Sequence, residues 1–219
     1  LQINREPRFD PADLCPIARI VEDPGTFIVP AGSDYQTLDD LVAYAKANPG
    51  AVSIGTTGVG TDEHMALLQL EQAADIDLTA VPFGGANEAK TALLGGHITA
   101  IGLNVGEYAT ADKDAMRALA QFAEERSVLA PDLPTASEQG YDVIMSSERG
   151  LAAHCDVPQE IRDRLAAAVD AALANPEFKA QAETQSLPLS FQSGTEWQAA
   201  MPARLERFRE IFALIDEEQ

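Results

Sequence analysis

Basic residues are scarce in this 219-residue chain. It has 15 lysines and arginines against 35 aspartates and glutamates, which leaves a formal net charge of −20 at pH 7. Such a surface repels the phosphate backbone of nucleic acids, so we expect no nucleic-acid partner. The charge imbalance concerns solubility and long-range electrostatics, and it indicates nothing about the fold.

Long apolar runs are also missing. No segment reaches the roughly 18 consecutive apolar residues of a membrane-spanning helix, and the opening Leu1-Gln2-Ile3-Asn4-Arg5 lacks the apolar core of a signal peptide. A signal peptide removed before this point would leave the same pattern. Hydrophobic residues still make up 46% of the sequence, which is enough for a packed globular core.

Cysteine is rare as well, with Cys15 and Cys155 as the two examples. Two cysteines supply neither a disulfide framework nor a metal-site spacing, so we predict no metal and no cofactor. One bridge between them or two free thiols both fit the sequence, and two free thiols are the simpler interpretation. The neighbours His154 and Asp156 do not make a catalytic site, because triads converge in space rather than in sequence. We therefore predict no catalytic residues.

Strand and helix patterns alternate through the middle of the chain. Short apolar segments alternate with amphipathic stretches of helix length, which is typical of βαβ units around a parallel sheet. We predict an α/β fold with one complete lobe over residues 31–147. Before it, apolar runs at 17–21 and 26–29 predict two strands separated by a turn at Pro24-Gly25.

The remaining segments, 1–30 and 148–219, read differently. They contain long amphipathic helical patterns, including one from Thr195 to Glu217, but few strands for these helices to pack against. We therefore predict that the two segments form a partial lobe. A strand at Gly150–Ala153 is expected to leave the complete lobe.

A glycine- and threonine-rich loop, Thr56-Thr-Gly-Val-Gly-Thr61, is the most distinctive local feature. It follows a predicted strand and precedes a predicted helix over 62–73. The first N–H groups of a helix lack internal partners, so such a loop can receive a carboxylate or phosphate. It has neither the lysine of a phosphate-binding P-loop nor the third glycine of a dinucleotide fingerprint. The competing interpretation is a tight turn capped by Thr61.

A second strand-to-helix turn, Pro82–Asn87, follows one βαβ unit later, and Asn104 follows the next strand. The carboxyl ends of parallel strands share one edge of a sheet, where open α/β folds bind ligands. His64 is interpreted as a packed histidine bonded to backbone, with a ligand role as the alternative. The predicted ligand-binding residues are Thr56, Gly58, Gly60, Thr61, Phe83, Gly84, Gly85, Ala86, Asn87 and Asn104.

Several short motifs follow one another in order along nearly the whole chain. They are Asp13-Leu-Cys-Pro-Ile-Ala18, Tyr44-Ala-Lys-Ala-Asn-Pro-Gly50, Ser53-Ile-Gly-Thr-Thr-Gly-Val-Gly-Thr-Asp-Glu-His64, Val81-Pro-Phe-Gly-Gly-Ala86, Leu93-Leu-Gly-Gly96, Pro131-Asp-Leu-Pro-Thr135 and Arg149-Gly-Leu-Ala-Ala153. This ordered series resembles the substrate-binding proteins of tripartite tricarboxylate transporters, the TctC or Bug family. The resemblance implies a type II periplasmic-binding-protein architecture, with two lobes that are joined by crossover strands and close on a ligand. The N-terminal part of the family pattern is missing, so one lobe is expected to be incomplete.

The resemblance also implies a function. The expectation is a monomeric periplasmic solute-binding protein, not an enzyme, that captures a small di- or tricarboxylate for membrane permease subunits. The loop at 56–61 and the turn at 83–87 match the family regions that hold the ligand. Two alternatives remain: an α/β hydrolase- or transferase-type enzyme with His64 as the local base, and a ligand-sensing module for a receptor partner.

Overall fold

The chain divides into two compact units. The computed structural model describes residues 10–217; unit 1 is formed by the described residues up to Glu22 and from Glu148, and unit 2 by Asp23–Ser147. The sequence places the first boundary eight residues later. The difference arises because one long strand, β1 (Leu14–Pro30), begins in unit 1 and ends in unit 2.

Unit 2 contains a mixed sheet. Its strands run in the order β3-β2-β4-β1-β5. Parallel pairing joins β2 to β3 and to β4, whereas β1 pairs antiparallel with β4 and β5. The prediction of a parallel sheet is therefore wrong for the half that contains β1. The further strands are β2 (Ser53–Thr56), β3 (Thr79–Pro82), β4 (Ala100–Asn104) and β5 (Met116–Gln121), and the helices are α1 (Leu38–Ala47), α2 (Asp62–Ala74), α3 (Ala86–Leu94) and α4 (Val105–Ala109).

Strand β1 passes through Pro24-Gly25 without turning, contrary to the sequence prediction. The Gly25 N–H donates to the Met145 carbonyl at 2.8 Å, and the Gly25 carbonyl accepts from the Phe122 N–H at 2.8 Å. A Cβ atom on Gly25 would lie 3.1 Å from the Phe122 ring, so glycine allows this close approach. Pairing with distant segments thus overrides the local turn signal.

Helix α1 begins as its sequence predicts. The Thr37 hydroxyl accepts from the Asp40 N–H, and the Asp40 carboxylate accepts from the Thr37 N–H, which makes a capping box. Leu41 and Val42 are among the buried residues of its apolar face. The helix ends at Ala47, directly before Asn48-Pro49, because proline cannot continue it.

Unit 1 has its own small sheet, in contrast to the few strands predicted from its sequence. Two strands, β6 and β7, each pair with β1, and the helices follow them in sequence. The Glu148 carboxylate lies within this unit and binds Arg19, Arg204 and the Trp197 indole N–H. The elements are β6 (Ser146–His154), α5 (Gln159–Ala174), α6 (Pro176–Thr184), β7 (Leu189–Ser193) and α7 (Gly194–Glu217).

A disulfide joins Cys15 and Cys155, whose Cα atoms are 5.0 Å apart. The simpler interpretation, two free thiols, is therefore wrong. The pairing is supported by a backbone bond of 2.7 Å from the Cys155 N–H to the Asp13 carbonyl. Both cysteines belong to unit 1. Within residues 10–217, no helix is long and apolar enough to cross a membrane.

Candidate ligand-binding site

Three parallel strands, β2, β3 and β4, end close together at one edge of the unit 2 sheet. Thr56, the last residue of β2, lies opposite Pro82, the last residue of β3. Gly55 lies opposite Ile101 of β4, so β4 ends two residues beyond the same level, at Asn104. The glycine-rich loop before α2 is thus flanked by the turn before α3 on one side and by Asn104 on the other.

The two strand-to-helix turns are in direct contact. The Phe83 N–H donates to the Thr56 carbonyl at 2.8 Å. A Cβ atom on Gly55 would lie 3.0 Å from the Phe83 ring and 2.7 Å from the Ile98 side chain, so glycine lets the ring approach β2. The half-buried Phe83 packs against the apolar cluster that includes Leu93 and Ile101. Its ring therefore anchors the turn.

Internal hydrogen bonds organise the loop before α2. The hydroxyls of Thr56 and Thr61 donate to the Gly58 carbonyl at 3.3 and 2.9 Å, and the Thr57 hydroxyl donates to the Glu63 carboxylate at 2.9 Å. Thr56 is also buried. These hydroxyls are engaged within the loop, so backbone N–H groups rather than side chains remain as the loop's donors.

His64 occupies one of those N–H groups. Its Nδ1 atom accepts a hydrogen bond of 3.0 Å from the Gly60 N–H, and the residue is only 5% exposed. The interpretation of His64 as a packed histidine bonded to backbone agrees with this geometry. The Gly60 N–H is consequently not a free donor for a ligand, although Gly60 is among the predicted ligand-binding residues.

Two acidic residues lie in the first turn of α2. Asp62 and Glu63 complement the positive end of the helix dipole. Burial raises the pKa of the Glu63 carboxyl, and the charge of Asp62 adds to this, while the hydrogen bond from Thr57 acts in the opposite direction. A Cβ atom on Gly102 would overlap the Glu63 side chain, which shows how closely Glu63 packs on β4. The start of α2 therefore already carries negative charge.

The start of α3 is less occupied. The Gly84 N–H donates to the exposed Glu88 carboxylate at 2.9 Å, so this predicted donor is also engaged. The first helical backbone bond runs from the Ala89 N–H to the Gly85 carbonyl at 3.3 Å. The N–H groups of Ala86 and Asn87 therefore have no carbonyl partner within the helix. They are donors suited to a carboxylate.

Asn104 connects neighbouring elements through hydrogen bonds. Its side-chain N–H₂ group donates to the Asp23 carbonyl at 2.8 Å and to the Asp62 carboxylate at 3.4 Å. Its backbone N–H donates to the Glu107 carboxylate at 3.1 Å. Because its donors are used, Asn104 links β4 to β1 and α2 instead of presenting a free amide, in contrast to its predicted role.

The structure thus brings the predicted residues to one edge of the sheet, but only some of them have hydrogen-bond donors that are free for a ligand. The donors of Gly60, Gly84 and Asn104 and the hydroxyl of Thr56 are engaged internally, whereas Ala86 and Asn87 keep free helix-start N–H groups. Sequence reasoning missed the acceptors Glu63 and Glu88. Among residues 10–217, no group of three or more His, Cys, Asp or Glu side chains is placed to hold a metal ion.

Comparison with known proteins identifies the family. Residues 4–204 match the family described as the tripartite tricarboxylate transporter family receptor, TctC. The chain belongs to the TctC family. The predicted family and fold class are confirmed, and the family and its structural neighbours are solute-binding proteins rather than enzymes.

Curated relatives of this TctC-family chain are much longer than the matched region. It is 30% identical over 152 residues to a Cupriavidus necator UPF0065 protein, covering 69% of this chain and 46% of the relative. It is 30% identical over 138 residues to Protein BugT of Bordetella pertussis, covering 62% and 42%. The chain therefore spans about half the length of the curated relatives it matches.

Solved structures share the fold of this TctC-family chain. A ligand-free TctC solute-binding protein from Polaromonas matches with a TM-score of 0.84 at 27% identity, covering 94% of this chain and 72% of that chain. MatC from Rhodopseudomonas palustris with bound malate has a TM-score of 0.76 at 21% identity, covering 95% and 73%. An R. palustris protein with adipate has a TM-score of 0.76 at 23% identity, covering 93% and 69%.

Proposed function

We propose that this chain is the ligand-holding part of a periplasmic solute-binding protein that captures a small di- or tricarboxylate. The observation that carries the proposal is the register of Thr56 opposite Pro82, which places the start of α3 beside the glycine-rich loop. Free N–H groups at Ala86 and Asn87 offer neutral donors to carboxylate oxygens. Two structural neighbours that contain malate and adipate support the same ligand class.

The second part of the proposal is delivery to a membrane permease of the tripartite tricarboxylate type, with the binding protein acting as a monomer. The family description names a transporter receptor. Neutral backbone donors suit a carrier, because a ligand that must be released requires moderate affinity. The net charge of −20 does not prevent binding, since salt screens charges more than roughly 10 Å apart.

The disulfide supports a location outside the cytoplasm. Structural disulfides form and persist in oxidising compartments such as the bacterial periplasm. The bond between Cys15 and Cys155 is an observation on this chain itself, so it supports the periplasmic assignment independently of its relatives.

A thermal-shift screen over mono-, di- and tricarboxylates tests the proposal. A ligand at about 100 times its dissociation constant adds about 2.7 kcal/mol of stability. We expect di- or tricarboxylates to raise the unfolding temperature, while amides of the same acids do not, because the amides lack the negative charge. If no carboxylate raises the unfolding temperature of folded protein at millimolar concentration, the proposed function is wrong.

A further inference from the structure

Three helices of unit 2 begin with the same arrangement. In each, the side chain of the third helical residue accepts the N–H of the residue four positions earlier in the chain. In α1 the Asp40 carboxylate accepts from the Gln36 N–H at 2.9 Å, and in α3 the Glu88 carboxylate accepts from Gly84 at 2.9 Å. In α2 this position is occupied by His64, which accepts from Gly60 at 3.0 Å.

The histidine differs from the two acids in charge. An imidazole nitrogen that accepts a hydrogen bond carries no proton, so Nδ1 is unprotonated and the neutral ring holds its proton on Nε2. His64 therefore closes the loop with an uncharged acceptor, where α1 and α3 use a carboxylate. This avoids one further negative charge at a helix start that already carries Asp62 and Glu63.

The hydrogen bond also determines the direction of the loop backbone. The N–H and C=O of a trans peptide point in opposite directions, so holding the Gly60 N–H towards His64 turns the Val59 carbonyl to the other side. The flanking glycines permit other orientations, since Gly58 has a φ of 137° and Gly60 a φ of 76°. The hydrogen bond to His64 selects one of these orientations for the peptide plane before Gly60.

We propose that His64 is a positioning residue for the carboxylate site: its neutral Nδ1 holds the peptide plane before Gly60, and with it the glycine-rich loop that lies beside the turn before α3, without adding negative charge. The inference rests on the proposed function for its ligand. It goes further by assigning the loop's geometry to one buried side chain that does not touch the ligand.

Three substitutions of His64 separate the effect of its hydrogen-bond acceptor from the effects of charge and of side-chain packing. Asparagine carries its Oδ1 on Cγ, as histidine carries Nδ1, so His64→Asn keeps a neutral acceptor, His64→Asp a charged one, and His64→Leu none. With malate and adipate as probes in calorimetry, we expect His64→Asn to bind within about twofold of wild type and His64→Leu to bind about tenfold more weakly. His64→Asp should weaken binding about fivefold or more. Replacing the exposed His97 by asparagine is the control.

The outcomes are distinguishable. Wild-type affinity in His64→Leu, or equal losses in His64→Leu and His64→Asn, would overturn the positioning role, because the acceptor would then be irrelevant. An affinity of His64→Asp equal to that of His64→Asn would overturn the requirement for a neutral group.

A spectroscopic measurement keeps the proposal testable if a variant does not fold or no probe binds. The chain has 3 histidines, so ring ¹⁵N spectra of the wild-type protein can be assigned with His97 and His154 variants. We expect an unprotonated Nδ1 at His64 and slow hydrogen exchange at Gly60. A protonated Nδ1 or a fast-exchanging Gly60 amide overturns the inference. Wild-type protein that binds neither probe counts against the proposed function, while these spectra still decide whether His64 holds the loop.

Discussion

Replacing Ala86 with proline removes a single N–H from the start of α3 and should leave the helix intact. Proline is well tolerated at the first position of a helix, and the first helical bond uses the Ala89 N–H rather than that of Ala86. The preceding Gly85 is already extended, with φ 166° and ψ 171°, as a residue before proline requires. Ala86→Pro therefore tests the contribution of the Ala86 N–H to ligand binding without disrupting α3.

The expected effect follows from the charge of the ligand. A hydrogen bond to a charged group contributes about 1.5–3 kcal/mol, so its loss should raise the dissociation constant about 10- to 150-fold. Calorimetry with the carboxylate that gives the largest thermal shift measures this change, and circular dichroism shows whether helix content is kept.

A matched control is available in unit 1. Gln159 is the exposed first residue of α5 and follows Pro158, whose ψ of 139° suits a further proline. Gln159→Pro likewise removes the N–H of a first helical residue, together with side-chain bonds to Asp163 and Arg162 within α5. It lies outside the candidate site and should leave affinity unchanged. Unaltered binding in a folded Ala86→Pro variant, or an equal loss in Gln159→Pro, would refute the reasoning.

Two further predictions concern stability. The Cys15–Cys155 bond closes a sequence separation of 140 residues, for which the chain-entropy relation gives about 5 kcal/mol at 25 °C; the double serine variant should lose much of this in denaturant unfolding, and an unchanged midpoint would contradict it. Burial raises the pKa of Glu63 above 4.5, so the folded protein favours the protonated carboxyl. The contribution of Glu63 to the free energy of unfolding is therefore fully present below pH 4.5 and is lost as the pH rises through the raised pKa. Glu63→Gln should therefore raise the unfolding temperature at pH 7 and not at pH 4, and an equal shift at both would argue against a perturbed carboxyl.

Helices of unit 2 could be predicted from sequence because their signals are local. Thr37 starts α1 through bonds to a residue three positions away, and the stretch 62–73 predicts α2, which spans Asp62–Ala74. Such caps and periodic apolar faces depend on neighbours within one or two turns. Distant chain segments have little influence on them.

The course of β1 could not be predicted in the same way. Pro24-Gly25 has the composition of a turn, but Gly25 bonds to Phe122 and Met145, which are far away in sequence. The antiparallel pairing of β1 likewise depends on where β4 and β5 lie. Tertiary pairing therefore overrides the local turn preference, makes the half of the sheet that contains β1 antiparallel, and carries β1 across the boundary between the two units.

The position of the candidate site could be predicted, but the availability of its donors could not. Glycines and helix starts at the ends of β2 and β3 indicate where N–H groups gather. Which of them are free depends on side chains such as His64 and Glu88, which lie four residues after the glycines they bind. An acceptor at this spacing is a signal that could have been found in the sequence.

The disulfide has a topological consequence beyond stability. Cys15 precedes the point where the chain enters unit 2, and Cys155 follows the point where it returns, so the whole of unit 2 lies within a covalent ring. A single backbone cleavage in an exposed segment of unit 2, such as 124–126, would divide the chain into two pieces. The Cys15–Cys155 bond would still join these pieces covalently. The two pieces could then drift apart only after a reductant had broken the sulfur–sulfur bond.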